Sequence, residues 1–220
     1  MEDIVSDTTF GADFLKAIDR HIATNYRTMS CSNLAAVFWD TFEAMKEETG
    51  TSGGFPGLTE YLLFRFVYHS MGARFERELR TGATQGCLVF RDVAAPSMIL
   101  SRCQRFKLPS GGATPDVTVS VNDKVVAAFE AKVYPTKGAS GMKDEVEKLA
   151  RLRRSRGAPD MRAMIVVFDS RETHPGVAAL LDREARRRPW LASVWLRKDA
   201  RPAYGVLAEA MLPSVLDRAP

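Results

Sequence analysis

The stretch that decides the fold is Thr114-Pro115-Asp116-Val117-Thr118-Val119-Ser120-Val121-Asn122-Asp123-Lys124-Val125-Val126-Ala127-Ala128-Phe129-Glu130-Ala131-Lys132. Val117, Val119 and Val121 alternate with polar residues, which predicts a strand. Val125 to Tyr134 is almost wholly apolar until Glu130, as expected of a strand covered on both faces. A turn centred on Asn122-Asp123-Lys124 makes the two strands a hairpin in which partner positions sum to 246. Asp116 then falls opposite Glu130, and directly opposed Cβ atoms lie about 4.5–5.5 Å apart. Two carboxylates at that distance repel unless a cation lies between them. Lys132, two residues beyond Glu130, points to the same side, roughly 6–7 Å further along. The oxygen-rich pair suits a hard cation such as Mg²⁺. The lysine beside it suits orienting or deprotonating a water and stabilising phosphate charge.

Upstream of the hairpin, Phe10, Phe14, Ile18 and Ile22 follow helical spacing. A second helix, capped by Ser32 or Asn33, carries Leu34, Val37, Phe38, Phe42 and Met45 on one face. The glycine-rich run from Gly50 to Gly57 is a connector, followed by a third helix from about Leu58 to Ser70. Arg74 to Arg80 reads as an extension of that helix or a separate turn. Cys87–Phe90 and Met98–Phe106 read as strands. Downstream, the expectation is a loop over 135–141, a helix over 142–154, a strand over 161–168, a helix over 175–187 and a strand over 191–196. A short amphipathic helix over 203–216 ends the chain. A hairpin followed by a helical crossover gives a mixed sheet with helices on both faces. The expected division is an N-terminal helical extension over 1–52 and an α/β domain over 53–220.

Composition narrows the function classes. The chain has 220 residues, of which 45% are hydrophobic and 26% charged, ordinary for a globular protein. Cys31, Cys87 and Cys103 include no C-x-x-C pair, so a disulfide framework and a thiolate zinc site are disfavoured and a reducing, cytoplasmic compartment is expected. The first residues lack a basic start and an apolar run, and no stretch has the apolar length of a membrane helix. The net charge of +4 is uneven. Residues 1–130 hold 13 Lys/Arg against 16 Asp/Glu, and residues 131–220 hold 18 against 11. A basic second part suits a polyanionic partner, although solvated helix faces account for the charge equally simply.

Pro115, Asp116, Glu130, Ala131 and Lys132 resemble the signature of the PD-(D/E)xK nuclease superfamily, whose type II restriction endonucleases are its best-known members. The resemblance covers the motif and the helix–strand order over about residues 58–168. It implies a restriction-endonuclease-like α/β fold and Mg²⁺-dependent phosphodiester cleavage, with Mn²⁺ as a substitute metal. Asp116, Glu130 and the carbonyl of Ala131 would hold the metal, and Lys132 would position or activate the water. The family commonly adds an acid on the helix before the sheet. Glu60, the only acid between Leu58 and Tyr68, is the candidate, against the alternative of first-turn dipole stabilisation. The helix after the motif often contributes a polar residue, for which Glu145 and Lys148 are candidates. Lys143–Glu147–Arg151 spacing favours an ordinary surface ladder for that helix. Lys137, Lys143, Lys148, Arg151 and Arg154 are the candidate nucleic-acid contacts, and a second basic cluster is Arg183, Arg186, Arg187 and Arg188.

The implied activity is a DNA endonuclease of restriction, defence or mobile-element type. Cutting both strands with one site per chain would favour a homodimer. The alternatives are a nucleic-acid-binding or structural module without catalysis, and an RNA nuclease or repair exonuclease. Other motifs do not compete. Pro159-Asp160 is followed by Glu172-Thr173-His174 rather than E-x-K. Gly111-Gly112 has no G-K-[ST], and His21, His69 and His174 are isolated in the sequence.

Overall fold

The structure is a computed structural model. It describes residues 7–50, 57–72, 74–80, 87–95, 97–109, 111–133, 138–169 and 171–197. Its elements are α1 (Asp7–Asn25), α2 (Cys31–Thr49), α3 (Leu58–Ser70), β1 (Phe75–Arg80), β2 (Cys87–Asp92), β3 (Met98–Arg102), β4 (Val117–Val121) and β5 (Lys124–Val133). They continue with α4 (Gly138–Arg153), β6 (Arg162–Phe168), α5 (Pro175–Arg187) and β7 (Leu191–Trp195). The strands form one seven-stranded sheet in the order β1-β2-β3-β4-β5-β6-β7. Pairing is antiparallel from β1 to β5 and parallel from β5 through β7. The change of direction falls at β5, where α4 replaces a tight turn as the connection.

Strand alternation sends side chains to two cores. Met164, Val166 and Phe168 of β6 join Val117, Val119, Ala127 and Phe129 beneath α1, α2 and α3. Ala163, Ile165 and Val167 face α4 and α5 with Val125 and Ala128. The expected mixed sheet with helices on both faces is therefore present, and Glu130 and Lys132 fall on the face toward α4 by the same alternation. α1 and α2 are built into the first core. Ile22 and Leu34 are fully buried there, and the Phe38 and Phe168 rings lie 5.0 Å apart. Arg65 and His69 of α3 clamp Asp19 of α1, with Arg65 Nη2 donating to Asp19 Oδ2 at 2.8 Å and His69 Nε2 lying 2.8 Å from Asp19 Oδ1.

The hairpin differs from expectation at its tip. The turn has two residues, Asn122 (φ 50°) and Asp123 (φ 62°), the left-handed pair that matches strand twist. Val121 pairs with Lys124 and Ser120 with Val125, but Val119 pairs with Ala127. A bulge at Val126 inserts the missing residue. It restores the expected register from Val119↔Ala127 to Val117↔Phe129, so Asp116 still meets the Glu130 end of the hairpin.

Other boundaries are corrected. Residues 75–80 are a strand, not a helical extension, because pairing with β2 satisfies their backbone and their charges suit a sheet edge. β3 stops at Arg102, short of Phe106, because Cys103 takes a φ of 54° and turns the chain out of the sheet. Ser30, not Ser32 or Asn33, caps α2, with Asn33 completing the capping box. α4 begins at Gly138, four residues before Met142, although its buried stripe of Met142, Val146, Leu149 and Leu152 is as expected. The helix expected over 203–216 lies outside the described residues. Among the described residues no helix is long and apolar enough to cross a membrane.

Candidate active site

The face of β5 toward α4 ends in Glu130 and Lys132, and the hairpin register brings Asp116 alongside. Asp116 Oδ2 accepts a hydrogen bond from the Ala131 amide at 2.7 Å, and its carbonyl accepts from the Cys103 amide at 2.9 Å. Those two bonds lock Asp116 at the mouth of the hairpin just outside β4. Glu130 is 1% exposed. Its Oε1 lies 2.6 Å from Lys132 Nζ and 2.8 Å from Lys148 Nζ. Its Oε2 is buried with no hydrogen-bond partner.

Lys148 and Glu145 come from α4, one turn apart. Glu145 lies 3.2 Å from Lys132 and 2.5 Å from Lys148. The surface-ladder reading therefore fails for this face of α4. Glu147 turns away to pair with Arg188, which also contacts Glu184 at 3.1 Å. Arg183 and Arg187 also lie against Glu184, at 3.6 and 3.7 Å, so three arginines of this second basic cluster share a buried acid.

The electrostatics follow from burying two acids together. Burial pushes the Glu130 carboxyl up to about 7, and the neighbouring Asp116 adds to the push while Lys148 and Lys132 oppose it. Burial also raises Asp116, against the pull of Lys132 and of the Ala131 amide and with a further push from Glu60. Burial alone would lower Lys132, but the charge and hydrogen bond of Glu130, with Glu145 and Asp116, hold it well above the usual lysine range. Burial would raise Glu145, yet Lys148 and Lys132 bring it below the usual carboxylate range.

Glu60 approaches from the opposite layer. It sits in the first turn of α3 and accepts from Arg102 Nη2 at 3.2 Å and from the Cys103 thiol at 3.5 Å. It is near enough to Asp116 to raise that carboxyl, but its direct partners are Arg102 and Cys103. Burial, helped by Glu60, pushes the Cys103 thiol up to about 11. Gly57 opens α3 at φ 98°, and a Cβ there would stand 3.1 Å from Arg102 Nη2. Neither Arg102 nor Cys103 was signalled as part of the site by the sequence. A half-buried Glu60 needs a cation, but nothing in its spacing names one 42 residues away.

Among the remaining candidates, Lys143 is exposed on α4, Arg151 and Arg154 line a cavity at the far end of that helix, and Lys137 lies outside the described residues. His174, isolated in the sequence, lies 2.8 Å from Asp169 at the end of β6. Among the described residues no three His, Cys, Asp or Glu side chains gather as a metal cage. Two carboxylates, Asp116 and Glu130, do stand together, and Glu130 Oε2 is an acceptor with no hydrogen-bond partner, a donor set whose chemistry suits a hard cation. Compared with protein-family models, with curated proteins and with solved structures, the chain has no match.

Proposed function

We propose that the protein is a metal-dependent nuclease of the restriction-endonuclease-like kind, acting on DNA. The observation that carries this reading is Glu130: a carboxylate 1% exposed, beside the partly buried carboxylate of Asp116, with one oxygen on two lysines and the other without a hydrogen-bond partner among the described residues. A fold gains little from such a group, since burying a charge is costly unless it is fully paired. A divalent cation between Asp116 and Glu130 resolves the conflict. The helix–strand order from α3 to β6 supports the same reading, because it carries Pro115-Asp116 immediately before β4 and Glu130-Ala131-Lys132 on the adjacent β5, in the arrangement the resemblance implies.

Asp116, Glu130 and the Ala131 carbonyl would hold Mg²⁺. Bound there, Mg²⁺ would polarise a phosphoryl oxygen and favour an ionised water. Lys132 keeps its proton at neutral pH in the company of three carboxylates, so its work is to orient the attacking water and balance phosphate charge rather than to act as a base. Lys148 and Glu145 position Lys132 and Glu130 from α4. Glu60 and Arg102 fix the approach of α3 to Asp116.

Supercoiled plasmid incubated with protein and Mg²⁺ tests this reading, with EDTA and Lys132→Ala as controls. Nicked or linear product that requires both the metal and Lys132 is expected. Retarded but uncut DNA across several substrates would instead favour a binding module. Product from RNA alone would move the substrate class.

A further inference from the structure

At the far end of α4 lies a cavity of about 620 Å³. One wall is the loop Phe106–Pro109, closed by the Phe106–Ala113 bridge with bonds of 2.8 and 3.0 Å. The other is Arg151 and the turn that follows α4. That turn is pinned to the start of β5 by the Val125 amide, which donates to the Gly157 carbonyl at 2.7 Å. Lys107, Arg151, Arg154 and Arg156 contribute to the lining, and no carboxylate does. Arg153, their neighbour, is committed to the fold: its Nη1 donates to the Met161 carbonyl at 2.6 Å and its guanidinium lies 5.6 Å from the Trp190 ring. The other three arginines have no ion pair among the described residues, and Arg151 Nε is buried without a partner.

A second cavity of about 150 Å³ shares Phe106, Ser155 and Gly157 with the first. It extends along the α4-facing side of β3 and β4, past Ser101, Gln104 and Ser120, and Asp123 of the hairpin turn is the one carboxylate in its lining. Ser120 and Asp116 are four residues apart on that side, roughly 13 Å along the strand. On α4, Arg151 follows Lys148 by one turn, about 4.5 Å of rise. The basic cavity thus lies toward the turn end of the same hairpin face that carries the carboxylates at its other end.

Among the described residues none of these four cations has an ion pair, and the pocket they line suits an anion. The volume and the apolar wall of Phe106, Leu108 and Pro109 exceed what a bare phosphate needs and fall in the range of a small-molecule pocket. A duplex is too wide to enter such a pocket, whereas one unpaired nucleotide offers a flat base to the apolar wall and a phosphate to the guanidiniums. We infer that this cavity holds one unpaired nucleotide of the substrate strand, so that the protein binds single-stranded or locally opened nucleic acid near its catalytic centre. The choice of a strand as the source rests on the nuclease reading; the nucleotide chemistry of the pocket does not.

Binding of the full chain in EDTA, followed by fluorescence anisotropy, separates the two. The probes are a labelled single-stranded oligonucleotide of 12 nucleotides, the same sequence as a duplex, and unlabelled dAMP as competitor. The single strand is expected to bind at least about tenfold tighter than the duplex. Arg154→Glu and Arg156→Glu, both on exposed side chains, are each expected to weaken it about tenfold and to reduce the salt slope by about one. Unchanged circular dichroism and melting would exclude misfolding. Equal binding of single strand and duplex, or wild-type affinity in both variants, overturns the inference. Competition by dAMP supports the pocket; binding of dAMP by a protein that ignores the oligonucleotide overturns the strand as its source. Plasmid cleavage with Mg²⁺ is read separately. Cleavage with arginine-independent binding leaves the nuclease standing and the pocket refuted, and arginine-dependent binding without cleavage does the reverse.

Discussion

Lys132 Nζ and Lys148 Nζ reach the same oxygen of Glu130, at 2.6 and 2.8 Å, from a strand and from the helix packed on it. The two lysines are not equivalent. Lys132 stands two residues from Glu130 on the same strand face, whereas Lys148 reaches in from α4. Lys132→Ala is expected to lower cleavage by about 10²–10³, the cost of removing one aimed stabilising group. Lys148→Met is expected to destabilise the metal-free protein by about 1–3 kcal/mol, because it strips one partner from a buried acceptor. Its cleavage loss should be partly recovered at higher Mg²⁺. Initial rates across a Mg²⁺ titration, with urea denaturation of each variant, check both statements.

Metal affinity should depend on pH through Glu130. Its carboxyl titrates near 7 in the folded protein, and only the ionised form can hold a cation. Mg²⁺ binding should therefore weaken by up to about tenfold per pH unit below that value and level off above it. Titration calorimetry in buffers of different ionisation enthalpy should register proton release at pH 6 and little at pH 8. The sign for stability follows. A carboxyl raised on folding binds its proton more tightly in the native state, so its contribution falls as pH climbs from the unfolded value through about 7. Mg²⁺ should offset that loss, raising the melting temperature more at pH 8 than at pH 5.

The Asp19 clamp has the opposite sign. Burial would raise this carboxyl, but Arg65 and His69 hold it below the usual range. Its stabilisation is present above the unfolded carboxylate value and is lost as pH falls through the folded one. Asp19→Asn is expected to cost about 1–3 kcal/mol at neutral pH and progressively less below pH 4. Urea melts of both proteins across pH 3 to 7 should converge at the acid end.

The turn at the tip of the hairpin is strained by its residues. Asn122 tolerates φ 50°, whereas Asp123 at φ 62° leaves room for improvement by glycine, the preferred second residue of such a turn. Asp123→Gly should stabilise by about 0.5–1 kcal/mol. The urea midpoint should rise with the slope unchanged.

Phe38→Ala tests whether the N-terminal helices share one cooperative unit with the sheet. The ring is 3% exposed and packs on Phe168 across the layer boundary. A loss of about 3–5 kcal/mol is expected, seen as a lower midpoint of a single transition. Two separated transitions would instead mean that the helices unfold on their own.

The hairpin, its carboxylate end and most of the elements are legible in the order of the residues. Alternation in Val117–Val121, the apolar run before Glu130 and helical stripes such as Met142–Val146–Leu149–Leu152 are local signals, and each reports which side of an element meets the core. Asp116 meets the Glu130 end although the turn has two residues rather than three, since a two-residue turn plus a bulge at Val126 equals the longer turn in register. The tertiary structure alone decided the surroundings. Whether Glu145 and Lys148 lie on a solvated ladder or inside the acidic cluster depends on how α4 is rotated over β5, which i,i+4 spacing does not encode. That Glu60 meets Arg102 and Cys103 depends on α3 packing over β3, β4 and β5 with its first turn beside the end of β3. Residues 75–80 are a strand because β2 lies beside them. Charge partners distant in sequence are set by packing, and packing is settled only when both cores close around the sheet at once.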